Sequence, residues 1–111
     1  LEKLMVKRAR PAAEVPTLVM ERLTLWGRCI RKQRVVQKVS AQEVCRRLDI
    51  SRPTLIRMER GEGNVNAALY LAALHTLGVL GYAAPELEPS LWEMDNWNKR
   101  VKRDADEEEY F

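Results

Sequence analysis

Arg52 and Arg57 stand five residues apart in the run Ser51-Arg52-Pro53-Thr54-Leu55-Ile56-Arg57-Met58-Glu59-Arg60-Gly61. Arginines presented near the start of a short helix offer forked donors that match guanine O6 and N7. Hydroxyls, amides and further guanidiniums around them suit phosphate oxygens, which orient a protein on a duplex without reading its sequence. Base-edge contact is therefore assigned to Arg52, Pro53, Ile56 and Arg57. For Ile56 two roles stand open, contact with a thymine methyl or packing beside the preceding helix. Phosphate contact is assigned to Arg34, Ser40, Gln42, Ser51, Thr54 and Arg60. Catalysis finds no comparable set. His75 is the only histidine, and there is no Ser, Cys and His cluster, phosphate loop or paired carboxylate in a pocket-forming context. Cys29 and Cys45 lack Cys-x-x-Cys spacing and read as small buried hydrophobes, so no metal or cofactor is expected.

Side chains of this kind work only if the backbone holds them outward. Ser40 with Glu43 has the spacing of a capping box, and Ser51 can start a second helix. Asp49 and Ile50 leave room only for a tight corner, in which Asp tolerates a left-handed backbone, while Pro53 fits the first helical turn. Val44, Leu48, Ile50, Leu55 and Met58 form the expected seam, with Cys45 at the crowded place beside the turn. Around this pair the sequence predicts a long helix capped by Thr17 and running to about Val36, with a stripe of Val19, Leu23, Trp26 and Ile30. The two helices of the corner span about Ala41 to Leu48 and Arg52 to Arg60. Gly61 and Gly63 end the second, and Asn64 or Asn66 caps a further helix from Ala67 to Leu77 that Gly78 stops.

The corner resembles the XRE (lambda-repressor-like) family of DNA-binding domains. Trp26-Gly27-Arg28-Cys29-Ile30-Arg31 with Arg34 is similar to the family's first helix, and Glu59-Arg60-Gly61 to the close of its recognition helix. Ala41 stands where many members carry Gln, which leaves phosphate contact to Gln42, the helix amides or neighbouring basic residues. Asp49 stands where Gly is usual. Ile50-Ser51-Arg52-Pro53-Thr54-Leu55, Glu59-Arg60-Gly61-Glu62, Tyr70-Leu71 with Leu74, Leu77-Gly78 and Lys99-Arg100-Val101-Lys102 resemble the HipB-type antitoxins encoded with HipA-type kinases. The resemblance covers about residues 24 to 103. It implies an all-α, five-helix lambda-repressor-like domain, a repressor on a palindromic operator, and a HipA-like serine/threonine kinase toxin as partner. A toxin-neutralising helical dimer that never touches DNA, or a stand-alone XRE regulator, is the alternative.

Charge is uneven along the chain. From Arg22 to Arg60 eleven Lys or Arg face three acids, whereas Asp104, Asp106, Glu107, Glu108 and Glu109 make an acidic tail, so the formal +3 conceals a basic domain. Such a face supplies the counterion release that drives association with duplex DNA. The segment from Ala67 to Leu74 is apolar on all sides. Either that helix is central in its own core, or its second face meets a twin subunit. The expected homodimer interface is Tyr70, Leu71, Leu74, Leu77 and Leu80, consistent with two-fold operators.

Three regions follow: a flexible basic arm at 1–16, a DNA-binding and dimerisation domain at 17–84, and a C-terminal arm with acidic tail at 85–111. Ser90 to Trp97 reads as a short strand or extended docking arm, with a single helix turn as the plainer alternative, and Trp92 and Trp97 are the expected toxin contacts. No apolar run approaches the about 20 residues that span a bilayer, and residues 1–16 lack the apolar centre of a signal peptide. A cytoplasmic protein is expected.

Overall fold

A computed structural model describes residues 14–95 of the 111-residue chain. Among the described residues α-helices follow one another as α1 (Thr17–Val36), α2 (Ala41–Leu48), α3 (Arg52–Glu59), α4 (Ala67–Thr76) and α5 (Leu80–Ala83). A single 3-10 turn, Pro89–Leu91, comes after them. No strand occurs among the described residues, and the start of the segment expected as a strand, an extended arm or a single helix turn is that 3-10 turn. The Trp92 indole donates locally to the Leu87 carbonyl at 3.4 Å instead of reaching a neighbouring strand. Trp97, the other residue expected in this arm, lies outside the described residues.

Short-range chemistry sets the helix ends. Ser40 Oγ accepts from the Glu43 amide at 3.0 Å, Ser51 Oγ from the Thr54 amide at 3.3 Å, and Asn66 Oδ1 from the Leu69 amide at 2.9 Å. Each side chain satisfies one of the orphan donors that open a helix. The box at Ser40 is half of what its spacing suggests, because the Glu43 carboxylate is taken by Arg46 and Arg47. Thr17 is the first helical residue of α1 and not its cap, which falls to Pro16. At the other ends, α3 and α4 close through Gly61 (φ 76) and Gly78 (φ 77), with paired bonds such as Gly61 N–H to Met58 O and Glu62 N–H to Arg57 O. At the end of α1 the left-handed position is Lys38 (φ 60), for which the sequence offers no glycine signal.

Ile30, Met58, Val65, Tyr70, Ala73, Leu74 and Leu77 form the main core, and Val44, Cys45 and Leu55 a smaller one. Val39, Leu48 and Ile50 pack against both, so the two clusters are continuous. The α1 stripe begins at Leu23 and runs through Trp26 to Ile30, since Val19 is exposed. Fully burying a side chain such as Leu55 or Leu74 stabilises the fold by about 1.5–3 kcal/mol.

Helix α4 touches α1, α2 and α5, which explains its uniformly apolar sequence: it is central in the chain's own core. Tyr70, Leu74 and Leu77, assigned above to a homodimer interface, are buried within the chain itself. Tyr70 also donates its hydroxyl to Glu62 O at 2.7 Å and lies 5.9 Å from the Trp26 ring, whose Nε1 donates to Ala83 O at 3.2 Å. Burial, helped by the Glu62 carboxylate, pushes the Tyr70 hydroxyl up to about 12.

Candidate nucleic-acid interface

The corner between α2 and α3 is made by three residues with distinct tasks. Asp49 takes the left-handed conformation (φ 54), and the Asp49 and Ile50 amides return to Arg46 O and Cys45 O at 3.3 and 3.0 Å. Those bonds absorb carbonyls that the end of α2 leaves unpaired. Ser51 then opens α3, and Pro53, without an amide proton, occupies its first turn at no cost in hydrogen bonds. Cys45 is buried against Val44 and Leu55, where a larger side chain would push the two helices apart.

Helix α3 is pinned on its inner side and open on its outer one. Leu55 and Met58 are buried, while Arg52, Pro53 and Arg60 are exposed and Ile56 is 43% exposed. The spacing 52, 53, 56, 57 and 60 places these residues on one side of a helix. Of the two roles left open for Ile56, its exposure favours the outward one. Arg52 and Arg57 have no carboxylate within ion-pair distance among the described residues. Arg57 is half-buried and donates through Nη2 to Thr54 Oγ1 at 3.2 Å, so Thr54, assigned above to phosphate, already serves a neighbour.

Arg34 is the clearest departure from expectation. Its Nε and Nη2 donate to Glu59 Oε2 and Oε1 at 2.9 and 3.2 Å, with side chains only 17% and 12% exposed. The guanidinium ties α1 to the end of α3 and is not offered to phosphate. The hydrogen bond to Glu59 raises the pKa of Arg34 further, against the opposing effect of burial. Ser40 and Gln42 lie exposed at the start of α2, and Ser40 combines exposure with its capping bond. Arg60 extends into solvent 4.0 Å from Glu62.

Arg46 and Arg47 were not singled out from the sequence, although the local excess of positive charge included them. Both are exposed on α2 and both engage Glu43. The Arg46 hydrogen bond first, then that from Arg47, hold the Glu43 carboxyl below the usual carboxylate range. One acid thus holds two guanidiniums in the last turn of α2, leaving a net positive charge there.

On another face, Arg22, Leu25, Trp26, Cys29, Gln33, Val79, Tyr82 and Ala83 line an open groove of about 560 Å³. Leu71 and Leu80, the remaining residues expected at a dimer contact, are half-buried, and Tyr82 is 89% exposed. Trp92 is 61% exposed. No helix among the described residues is long and apolar enough to cross a membrane.

Compared with known proteins, residues 26–87 match a family model described as a helix-turn-helix domain. That span holds α2, the corner and α3 together with the part of α1 and the later helices that brace them. No curated protein and no solved structure matches the chain.

Proposed function

The chain belongs to the helix-turn-helix domain family, and on that premise we propose that it is a sequence-specific repressor binding duplex DNA as a homodimer. The observation that carries this reading is the outer side of α3, where Arg52, Ile56 and Arg57 share one surface and the two arginines have no acid partner among the described residues. Arg52 and Arg57 read guanine edges, Ile56 meets a thymine methyl, and Pro53 lies against the bases beside them. Ser40, Gln42, Ser51 and Arg60, joined by Arg46 and Arg47, position the protein on phosphates. A second copy, meeting the first through Leu71, Leu80 and Tyr82, sets two recognition helices about 34 Å apart on a palindromic operator.

We further infer an antitoxin, cytoplasmic and located at the nucleoid when bound, that represses its own operon and binds a HipA-like kinase toxin. The resemblance of residues 50–62, 70–78 and 99–102 to HipB-type regulators supports this, as does the exposed indole of Trp92. Trp97 is assigned to the same contact.

Selection of duplexes from a random pool, followed by titration at fixed salt, tests the DNA reading. Wild-type protein is expected to enrich an inverted repeat and to sediment with it as two chains per duplex. Arg52→Ala should cost roughly 1–3 kcal/mol on that site and far less on a site altered at the base it reads. Failure to enrich any sequence, with a kinase still bound on co-expression, would point to the interaction module instead.

A further inference from the structure

Ser51, Thr54 and Arg57 form one hydrogen-bonded line along the outer side of α3. Thr54 Oγ1 accepts from Arg57 Nη2 at 3.2 Å and lies 2.9 Å from Ser51 Oγ, while Ser51 Oγ also accepts from the Thr54 amide at 3.3 Å. A guanidinium can only donate, so the direction of the first bond is fixed. Its effect is to draw the Arg57 side chain back toward the opening turn of the helix. That is the end a recognition helix presents to base edges. With no carboxylate in ion-pair distance among the described residues, the threonine hydroxyl is the tether for this arginine.

We propose that Thr54 is a positioning residue that sets the reach of Arg57, and through it the base preference of the protein, without itself contacting phosphate. The proposal rests on the DNA reading above. A long arginine left loose must give up several rotamers when it binds, and it can settle on phosphate as readily as on a base. One held in place before the duplex arrives loses less on binding and reaches fewer atoms.

Counting protons sharpens the ligand. Two hydroxyls share one bond in which either can donate, so one hydroxyl proton is left over between them. Arg52 and the remaining Arg57 protons, by contrast, offer donors only. Their targets must be acceptors, and in the major groove guanine alone presents two side by side, O6 and N7, to match a forked donor. The base pairs sensitive to Arg57 are therefore G·C pairs, and Thr54 should govern the same pairs.

Thr54→Val removes the hydroxyl while keeping shape, and the Ser51 cap on the Thr54 amide survives it. Thr54→Ser keeps the hydroxyl. Both are compared with wild type and Arg57→Ala on the selected operator, on single-base variants of it and on unrelated duplex, across a salt series. Thr54→Val is expected to lose about tenfold in discrimination, the scale of a hydrogen bond to a charged group, at the G·C pairs where Arg57→Ala also loses it. Its salt slope should equal that of wild type, Thr54→Ser should discriminate as wild type does, and Thr54→Val should bring no further loss in the Arg57→Ala background. Equal weakening of Thr54→Val on all duplexes with a shallower salt slope would make Thr54 a phosphate contact and overturn the proposal, as would undiminished discrimination. A wild-type protein that enriches no duplex would sink the DNA reading itself, whereas enrichment by wild type with Thr54→Val unaffected sinks the positioning role alone.

Discussion

Removing the charge of Glu59 isolates what one residue does for the interface without touching any side chain offered to DNA. Arg34 and Glu59 are mostly buried and joined by two parallel bonds, so Glu59→Gln leaves a guanidinium half desolvated with no counter-charge. Loss of one partner of such a pair should destabilise the protein by about 2–4 kcal/mol, read as a lower urea midpoint at unchanged slope. Replacing both residues, Arg34→Met with Glu59→Leu, should recover much of that loss, because the desolvation penalty disappears with the charge. A loss under about 1 kcal/mol for Glu59→Gln would show instead that water screens the pair as it does surface ones. Residues of this kind mark where sequence reading ends. The outward place of Arg52 was legible because Leu55 and Met58 supply the buried seam, whereas Ile56 stood open between two roles until its exposure was known. Arg34 was assigned to phosphate because its charge is visible in the sequence and its partner, 25 positions away, is not.

Helices and caps follow from local chemistry, whereas the way helices cross depends on backbone contacts that no periodicity records. Ser40, Ser51, Asn66, Asp49 and Gly78 announce their ends, and the sequence places α2 at its observed bounds. The apolar circumference of α4 was ambiguous between a second subunit and a central place in the core. Packing against α1, α2 and α5 accounts for the apolar character of Tyr70, Leu74 and Leu77 within one chain. The crossing of α1 and α3 rests on two glycines. A Cβ on Gly27 would lie 2.6 Å from Met58 O and 2.7 Å from Glu59 O, and one on Gly61 would lie 2.5 Å from the Thr24 Cα. All are backbone atoms of the opposing helix, so neither clash is relieved by turning a side chain. Gly27→Ala should therefore cost about 1–3 kcal/mol even though alanine favours a helix by about 1 kcal/mol. Gly61→Ala should cost more than Gly78→Ala: both sit near φ +77, but nothing lies within 4 Å of a Cβ on Gly78. Thermal melts of the three variants give the order, and a stabilised Gly27→Ala would mean that α1 and α3 can separate freely.

At the scale of the molecule, charge is the property that local structure does not use up. Arg34 is neutralised internally and Glu43 offsets part of Arg46 and Arg47, yet Arg28, Arg31, Lys32, Lys38 and Arg52 remain exposed. The acids at 104–109 lie outside the described residues, but their number is fixed by the sequence. Deleting Asp104 to Phe111 removes five negative charges and no positive one, taking the formal net charge from +3 to +8. Attraction between such a tail and the basic face acts over the roughly 8–10 Å that salt leaves unscreened. If the tail covers that face in the absence of DNA, its deletion frees cations to displace counterions. Non-specific duplex should then bind more tightly at low salt, and log Kd should change more steeply with log salt. The effect on the selected operator should be smaller in proportion, since base contacts carry part of that affinity and do not respond to net charge. Unchanged DNA binding together with weaker capture of a co-expressed kinase would assign the tail to the partner. No change in either would leave it a solubilising end, and the basic face alone would then set how the chain finds DNA.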